Sequence, residues 1–398
     1  MSILHRVLFQ AGVMVFVALL TIAASSKKEP VSADSYVGDD KCLSCHADKQ
    51  SYLQTAHHLT SNLPTQQSIK GSFKPGQNIL KTTNADLSYG MEATATGFTE
   101  TAVIGRPPNA ITHTEKIDFV IGSGRKGQTY LYWKGDRLFE LPVSYWTELN
   151  SWVDSPGYRD DFPNFERPVP PRCLECHASY FVSLSSPASS NAYQKTGFVL
   201  GISCERCHGP AREHVARHEP GRSASTGEAI VNPAKLSRDR QVDICAMCHA
   251  GIGVTPLAPA FSYIPGEPLH DYINLGVSDP NAKIDVHGNQ VTLLERSRCF
   301  QCSSSMSCLT CHNVHVSQLD APAFSSRCLS CHEAQNCGEF KKRGSDIAAN
   351  CIDCHMPRQE SNLIVSGFEG KQVRPRVRTH WIKAYPEPSA ATDDPIRR

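Results

Sequence analysis

Cys308-Leu-Thr-Cys311-His312-Asn-Val-His315 holds two thiols three residues apart, an imidazole directly after them and a second imidazole three residues further on. Working outward from it, the string Cys-x-x-Cys-His occurs seven times in 398 residues. The other copies are Cys42, Cys45 and His46; Cys173, Cys176 and His177; Cys204, Cys207 and His208; Cys245, Cys248 and His249; Cys328, Cys331 and His332; Cys351, Cys354 and His355. At these residue frequencies chance gives roughly 0.03 such strings. Two thiols at this spacing can both add to the vinyl groups of one porphyrin, and the next histidine then sits under the iron as its proximal ligand. The pattern predicts seven covalently bound c-type haems.

Other chemistries fit less well. Zinc sites pair Cys-x-x-Cys with a distant second pair and have no need of an adjacent histidine. Disulfide frameworks impose no histidine, and iron–sulfur clusters need further cysteines. Fourteen of the 17 cysteines are used in the motifs, leaving Cys299, Cys302 and Cys337. Cys299-Phe-Gln-Cys302 is followed by Ser303, so a haem there lacks its proximal ligand; a decayed site, a small redox disulfide and an incidental thiol pair all stay open. Cys337 is assigned no role.

A low-spin haem needs a second axial ligand. Outside the motifs and the N-terminal segment, nine histidines remain: His57, His58, His113, His214, His218, His270, His287, His315 and His380. Seven irons against nine imidazoles make bis-histidine ligation of every haem arithmetically feasible. The set taken as distal ligands is His58, His113, His214, His270, His287, His315 and His380, with His57 and His218 left over. Methionine ligation would raise the potential, and only Met91 and Met306 are free to provide it.

The composition excludes other classes. Hydrophobic residues are 40% and charged residues 20%, outside the disordered range. With 40 basic against 39 acidic residues the formal charge is +1, so no polybasic field exists to hold nucleic acid. So many cysteines suit a compartment outside the cytoplasm. The apolar run from Val7 to Ala24, after His5 and Arg6 and before Lys27 and Lys28, reads as an export signal or an uncleaved N-terminal anchor.

Residues 1–33 are therefore set apart. Residues 34–172 carry the first motif and a small antiparallel β-module, and 173–398 carry the other six motifs in one haem-packed region. Within the module Lys116–Ile121, Thr129–Trp133 and Arg137–Leu141 are strand-like, with turns at Gly122–Gly127 and Lys134–Asp136, and Asn78–Ile104 shows weaker strand character. Gly122-Ser-Gly124-Arg-Lys-Gly127 matches a dinucleotide fingerprint, but a strand follows it where that fingerprint needs a helix. From Asp34 onward the chain offers about 52 residues per haem, too few to wrap each porphyrin in its own domain. The expected fold is mainly α with extensive loops and the β-module, the haems themselves forming the core.

The chain resembles the multihaem cytochromes c related to the tetrahaem cytochrome of ammonia oxidation, and more distantly the superfamily of hydroxylamine oxidoreductase and pentahaem nitrite reductase. Tyr36-Val-Gly38 before the first motif, Ala56-His57-His58 after it, Cys204-Glu-Arg-Cys207-His208-Gly-Pro, Cys311-His-Asn-Val-His315 and Cys351-Ile-Asp-Cys354-His355-Met-Pro carry the resemblance. It implies distal ligation by His58, His214 and His315, and favours His380. The Cys-x-x-Cys-Lys of the nitrite reductases is absent, and the octahaem enzymes have one haem more, so their catalytic identity does not transfer. The function expected is that of an exported electron carrier or store for respiration. It would exchange electrons with other redox proteins or quinol-linked membrane complexes, in the periplasm or outside the cell. Two alternatives stay open: an enzyme acting on a small nitrogen or sulfur oxyanion at one five-coordinate haem with His113, Arg106 or Tyr145 nearby, and a subunit of an extracellular haem filament or other homo-oligomer.

Overall fold

The computed structural model describes residues 28, 30–184, 190–219, 227, 229–251, 253–276, 284–285, 288–361 and 363–386. The expected export segment lies almost wholly outside the described residues. Among these, no helix is long and apolar enough to cross a membrane.

Alternation of small polar and large apolar residues builds two antiparallel sheets from residues 61–168. Ile79–Lys81, Leu87–Thr94, Gly97–Ile104 and Ile111–Lys116 follow one another in a meander. In Leu87–Thr94 the side chains of Leu87, Tyr89 and Met91 are buried while their neighbours are not, the period of a half-covered strand. The second sheet is centred on Gly127–Lys134, which pairs with Phe119–Ile121, with Arg137–Glu140 and, at its start, with Val143–Trp146. Ser61–Asn62, Ser151–Asp154 and Arg167–Pro168 complete it. Gly135 opens the two-residue loop after Lys134 at φ +65°, a conformation that glycine adopts without strain. The fingerprint-like Gly122–Gly127 is the connection between two strands.

Both faces of the central strand are buried. Tyr130 and Tyr132 point into a cluster with Leu80, Tyr89, Met91, Leu141 and Trp152, between the sheets. Leu131 points the other way, into a cluster with Phe119, Leu138, Leu174, Tyr180 and Phe181. Leu174 lies inside the second Cys-x-x-Cys-His, so this cluster fixes that motif to the sheet. Each fully buried side chain of this size stabilises by about 1.5–3 kcal/mol. A third cluster seats the helix of the fourth motif through Ala246 and Met247 against Tyr263, Leu269, Tyr272 and Val291.

The expected mainly α class is corrected: the protein is 28% helical and 23% strand, with several antiparallel sheets. An attachment motif needs only about one turn of helix, and the longest helix among the described residues, Arg238–His249, has 12 residues. The expected core is corrected as well, because the three clusters are built from the chain's own aromatic and aliphatic side chains.

Candidate haem-binding cavity

The motifs adopt one local geometry. In the first, fifth, sixth and seventh, the histidine N–H bonds to the carbonyl of the first cysteine at 2.9–3.0 Å. That closes one α-turn, which brings both thiols and the imidazole to the same side. Local sequence starts these turns. Ser307 and Thr310 form a reciprocal capping box before Cys308, Ser237 and Asp320 cap the helices of the fourth and sixth motifs, and a proline opens Pro171–His177. These side chains satisfy N–H groups that a helix start leaves free.

Buried polar residues tie the motifs together. The Glu205 carboxylate, 2% exposed, accepts N–H bonds from Val37, Gly38 and Ala211 at 2.9–3.1 Å, anchoring the segment before the first motif to the third. Asp39 accepts the Cys204 N–H at 2.8 Å. Arg206 donates to the Glu175 carbonyl of the second motif at 3.0 Å, and Ser325 accepts the Cys351 N–H at 2.9 Å. The motif helices pack first on third, second on fourth, fourth on fifth, fifth on sixth and sixth on seventh. Thiols meet along this path, and hydrogen bonding from Cys42 pushes Cys204 well up, as Cys248 does Cys176 and Cys308 does Cys245.

Between these elements lies a cavity of about 2960 Å³. Its wall includes both cysteines and the histidine of each of the first five motifs, and Cys328 of the sixth. His57, His214, His218, His315 and His380 also line it. Three pairs of rings lie close together: His57 and His249 with centroids 6.0 Å apart, His208 and His315 at 6.1 Å, and His312 and His380 at 6.2 Å. Each pair joins a motif histidine to one from outside the motifs. Two metal–nitrogen bonds of about 2 Å, with each nitrogen about 1.1 Å from its ring centre, put the centroids about 6.2 Å apart. The spacing of each pair would therefore suit a haem iron held by both imidazoles.

The rings are prepared as neutral ligands. His208 Nδ1 lies 2.7 Å from the Val231 carbonyl and His249 Nδ1 lies 3.0 Å from Gln290 Oε1, which leaves Nε2 to the metal. Burial, then the neighbouring His249 and His312, holds His57 down to about 4. Burial, then His312, does the same for His380. His208, His249, His312 and His315 are lowered too, by burial first. His57 keeps accessible surface because it faces the cavity.

The remaining expected ligands are dispersed. His58 sits behind the wall with Nδ1 3.1 Å from Asp39, and its ring packs on Tyr52. Adjacent residues point in different directions, so of the two it is His57 that reaches the cavity. Gly201, at φ +65°, passes under the His58 carbonyl, where any Cβ would collide, and Ile202 N–H bonds the His57 carbonyl at 3.0 Å. His214 stacks on His218 at 4.4 Å, too close for an iron between them. His113 is on the outer strand Ile111–Lys116, 2.9 Å from Glu115 and stacked on Phe165. His270 is exposed beside Asp271, and His287 lies outside the described residues. His177 Nδ1 meets Thr60 Oγ1 at 3.1 Å. Cys331 and His332 are exposed, and Cys351, Cys354 and His355 are half-buried. Of the pocket expected from Arg106, His113 and Tyr145, only Tyr145 lines the cavity; Arg106 pairs with Asp86 on the surface.

Sequence reading set His57 aside and missed Asp39, Glu205 and Glu175, whose buried carboxylate accepts the Phe261 N–H at 2.8 Å. The doubled histidine after the first motif was the available signal for the first. No local pattern marks the three carboxylates.

Residues 160–209, which contain the second and third motifs, match the family model "Cytochrome c554 and c-prime". The match supports a multihaem c-type cytochrome. Covalent haem and electron transfer follow for the cytochrome at that level. Comparisons with curated proteins and with solved structures gave no match.

Proposed function

We propose that this chain is an exported cytochrome that binds seven c-type haems and passes or stores electrons along them. The observation that carries this reading is the set of three histidine pairs spaced for an iron, each combining a motif histidine with a distant one. When bound, haem supplies one-electron Fe(III)/Fe(II) exchange with no bond-making. The chain does the rest. Fourteen cysteines hold the porphyrins by two thioethers each and, like disulfides, restrain the unfolded chain. The motif histidines His46, His177, His208, His249, His312, His332 and His355 bind on one side. His57, His315 and His380 supply second nitrogens for the fourth, third and fifth sites, and His113, His214, His270 and His287 stay candidates for the others.

Imidazole rather than methionine as second ligand favours low-potential sites. The packing of the motif helices, with the Arg206 bond joining third to second, supports a path running first, third, second, fourth, fifth, sixth, seventh. The exposed Cys45 and His46 near one end, and Cys331 and His332 near the other, suit entry and exit of electrons. Haem propionates add negative charge to a chain of formal charge +1, so a cationic redox protein or a quinol-linked membrane complex is the fitting partner, outside the cytoplasm. The family match supports kinship with the tetrahaem cytochrome of ammonia oxidation. Reductive titration of the purified protein tests the proposal: a sharp low-spin spectrum and several overlapping negative potentials are expected. A single positive potential would overturn it.

A further inference from the structure

We propose that Cys299 and Cys302 form a reversible dithiol–disulfide couple that exchanges electrons in pairs with the haem chain beside the fifth motif. The proposal rests on the multihaem reading above.

The two residues belong to the helix Arg298–Cys302. Helix geometry puts Cα atoms three residues apart about 5 Å from each other, inside the range of roughly 4.4–6.8 Å that a disulfide spans. The turn is clamped on several sides. Ser297, just before it, donates to the His380 carbonyl at 3.0 Å and accepts the Ile382 N–H at 2.7 Å. Arg238 donates to the carbonyls of Phe300 and Met306 at 2.9 and 3.0 Å, with its guanidinium 4.0 Å above the Phe300 ring. Gln301 bonds the Glu295 carbonyl at 3.0 Å. A rigid turn with two thiols lowers the entropic cost of closing the bridge.

The same features separate this pair from the haem-bearing ones. Ser303 stands where the motifs have histidine, and its hydroxyl is turned back to accept N–H bonds from Ser305 and Met306 at 3.3 and 2.9 Å. Neither Cys299 nor Cys302 lines the cavity. Yet the turn adjoins the haem chain: Ser297, directly before it, bonds the carbonyl of His380, whose ring pairs with His312 of the fifth motif, and Arg238 ties it to Met306, two residues before Cys308. Cys302 is exposed and Cys299 half-buried, so a soluble thiol or disulfide can reach the Cys302 sulfur.

Oxidation breaks two S–H bonds, forms one Sγ–Sγ bond, releases two protons to water and passes one electron to each of two ferric irons. The reverse takes up two protons and two electrons. The site would thus connect two-electron thiol chemistry with one-electron carriers.

The test uses the full-length, haem-loaded protein, poised anaerobically at a series of potentials, denatured in maleimide and weighed intact. Cys337, the remaining non-motif thiol, is an internal control. Expected are three maleimide tags in the reduced protein and one, with a loss of two hydrogens, in the oxidised protein. Cys302→Ser should carry two tags at every potential and accept two fewer electrons per molecule in coulometric titration, with its haem count unchanged. Three tags at every potential, or an extra haem on the peptide holding Cys299 and Cys302, would overturn the proposal. Haem mass appears in the same spectrum, so failure of the multihaem reading is seen separately from failure of the couple.

Discussion

Replacing His57 by alanine should remove one axial ligand from one identifiable haem. The rings of His57 and His249 lie 6.0 Å apart with their planes at 78°, whereas His208–His315 and His312–His380 are 20° and 25° from parallel. Crossed imidazole planes leave the two iron d orbitals that they perturb nearly equal in energy. Parallel planes split them. The fourth haem should therefore give the strongly anisotropic low-spin ferric resonance, and the third and fifth the ordinary rhombic one. In His57→Ala one iron in seven, about 14% of the total, should become high-spin, given that loss of a ligand opens that position. The strongly anisotropic signal should shrink while the rhombic signals persist. His58→Ala, whose ring faces Asp39 and Tyr52, is the matched control and should leave all spin states in place. Paramagnetic-resonance spin counting of the ferric proteins makes the comparison. If His57→Ala stays fully low-spin, or loses rhombic intensity instead, the pairing of His57 with His249 is wrong.

Other expectations concern the scaffold. Burial, then Asp160, raises the Asp154 carboxyl to about 7, so the folded state holds a proton that the unfolded state gives up near pH 4. Stability should then fall as pH rises from about 4 to about 7 and level off above. The full shift corresponds to at most about 4 kcal/mol, and hydration of the side chain reduces the expected value to about 2 kcal/mol. Denaturant unfolding of Asp154→Asn should recover that amount at pH 8 and little at pH 4; equal effects at both would refute the assignment. Glu205→Ala orphans the N–H groups of Val37, Gly38 and Ala211. At about 1–3 kcal/mol for each buried donor, offset where water reaches Val37 and Gly38, the loss should be about 2–4 kcal/mol. An unfolding midpoint unchanged from wild type would show that the anchor carries no load.

The Cys-x-x-Cys-His strings were legible because the spacing that haem attachment requires lies within five residues, independent of the rest of the fold. Strands near Phe119–Ile121, Gly127–Lys134 and Arg137–Glu140 were legible for a similar reason, since aromatic and branched residues between turn signals report a local preference. The meander of Leu87–Thr94 and Gly97–Ile104 was read only weakly, since threonine, alanine and glycine occupy much of it and Glu100 is buried inside. The helical class was overstated because the six-motif region was read as short helices and loops, and its small two-stranded antiparallel sheets pair residues through tertiary context rather than local pattern. Distal pairing was illegible for a different reason. His57 meets His249 across 192 positions of sequence, and which of His57 and His58 faces inward depends on where Gly201 lets the chain pass. Glu205 reads as a spacer between two cysteines, and only the fold reveals the three amides around it.

The most direct measurement is the intact mass of the mature protein with its iron content. The expected result is a polypeptide heavier by seven haems, with seven irons per chain and the adducts on the cysteines of the Cys-x-x-Cys-His strings. A mass with fewer adducts, or metal analysis returning zinc in place of iron, would contradict the account.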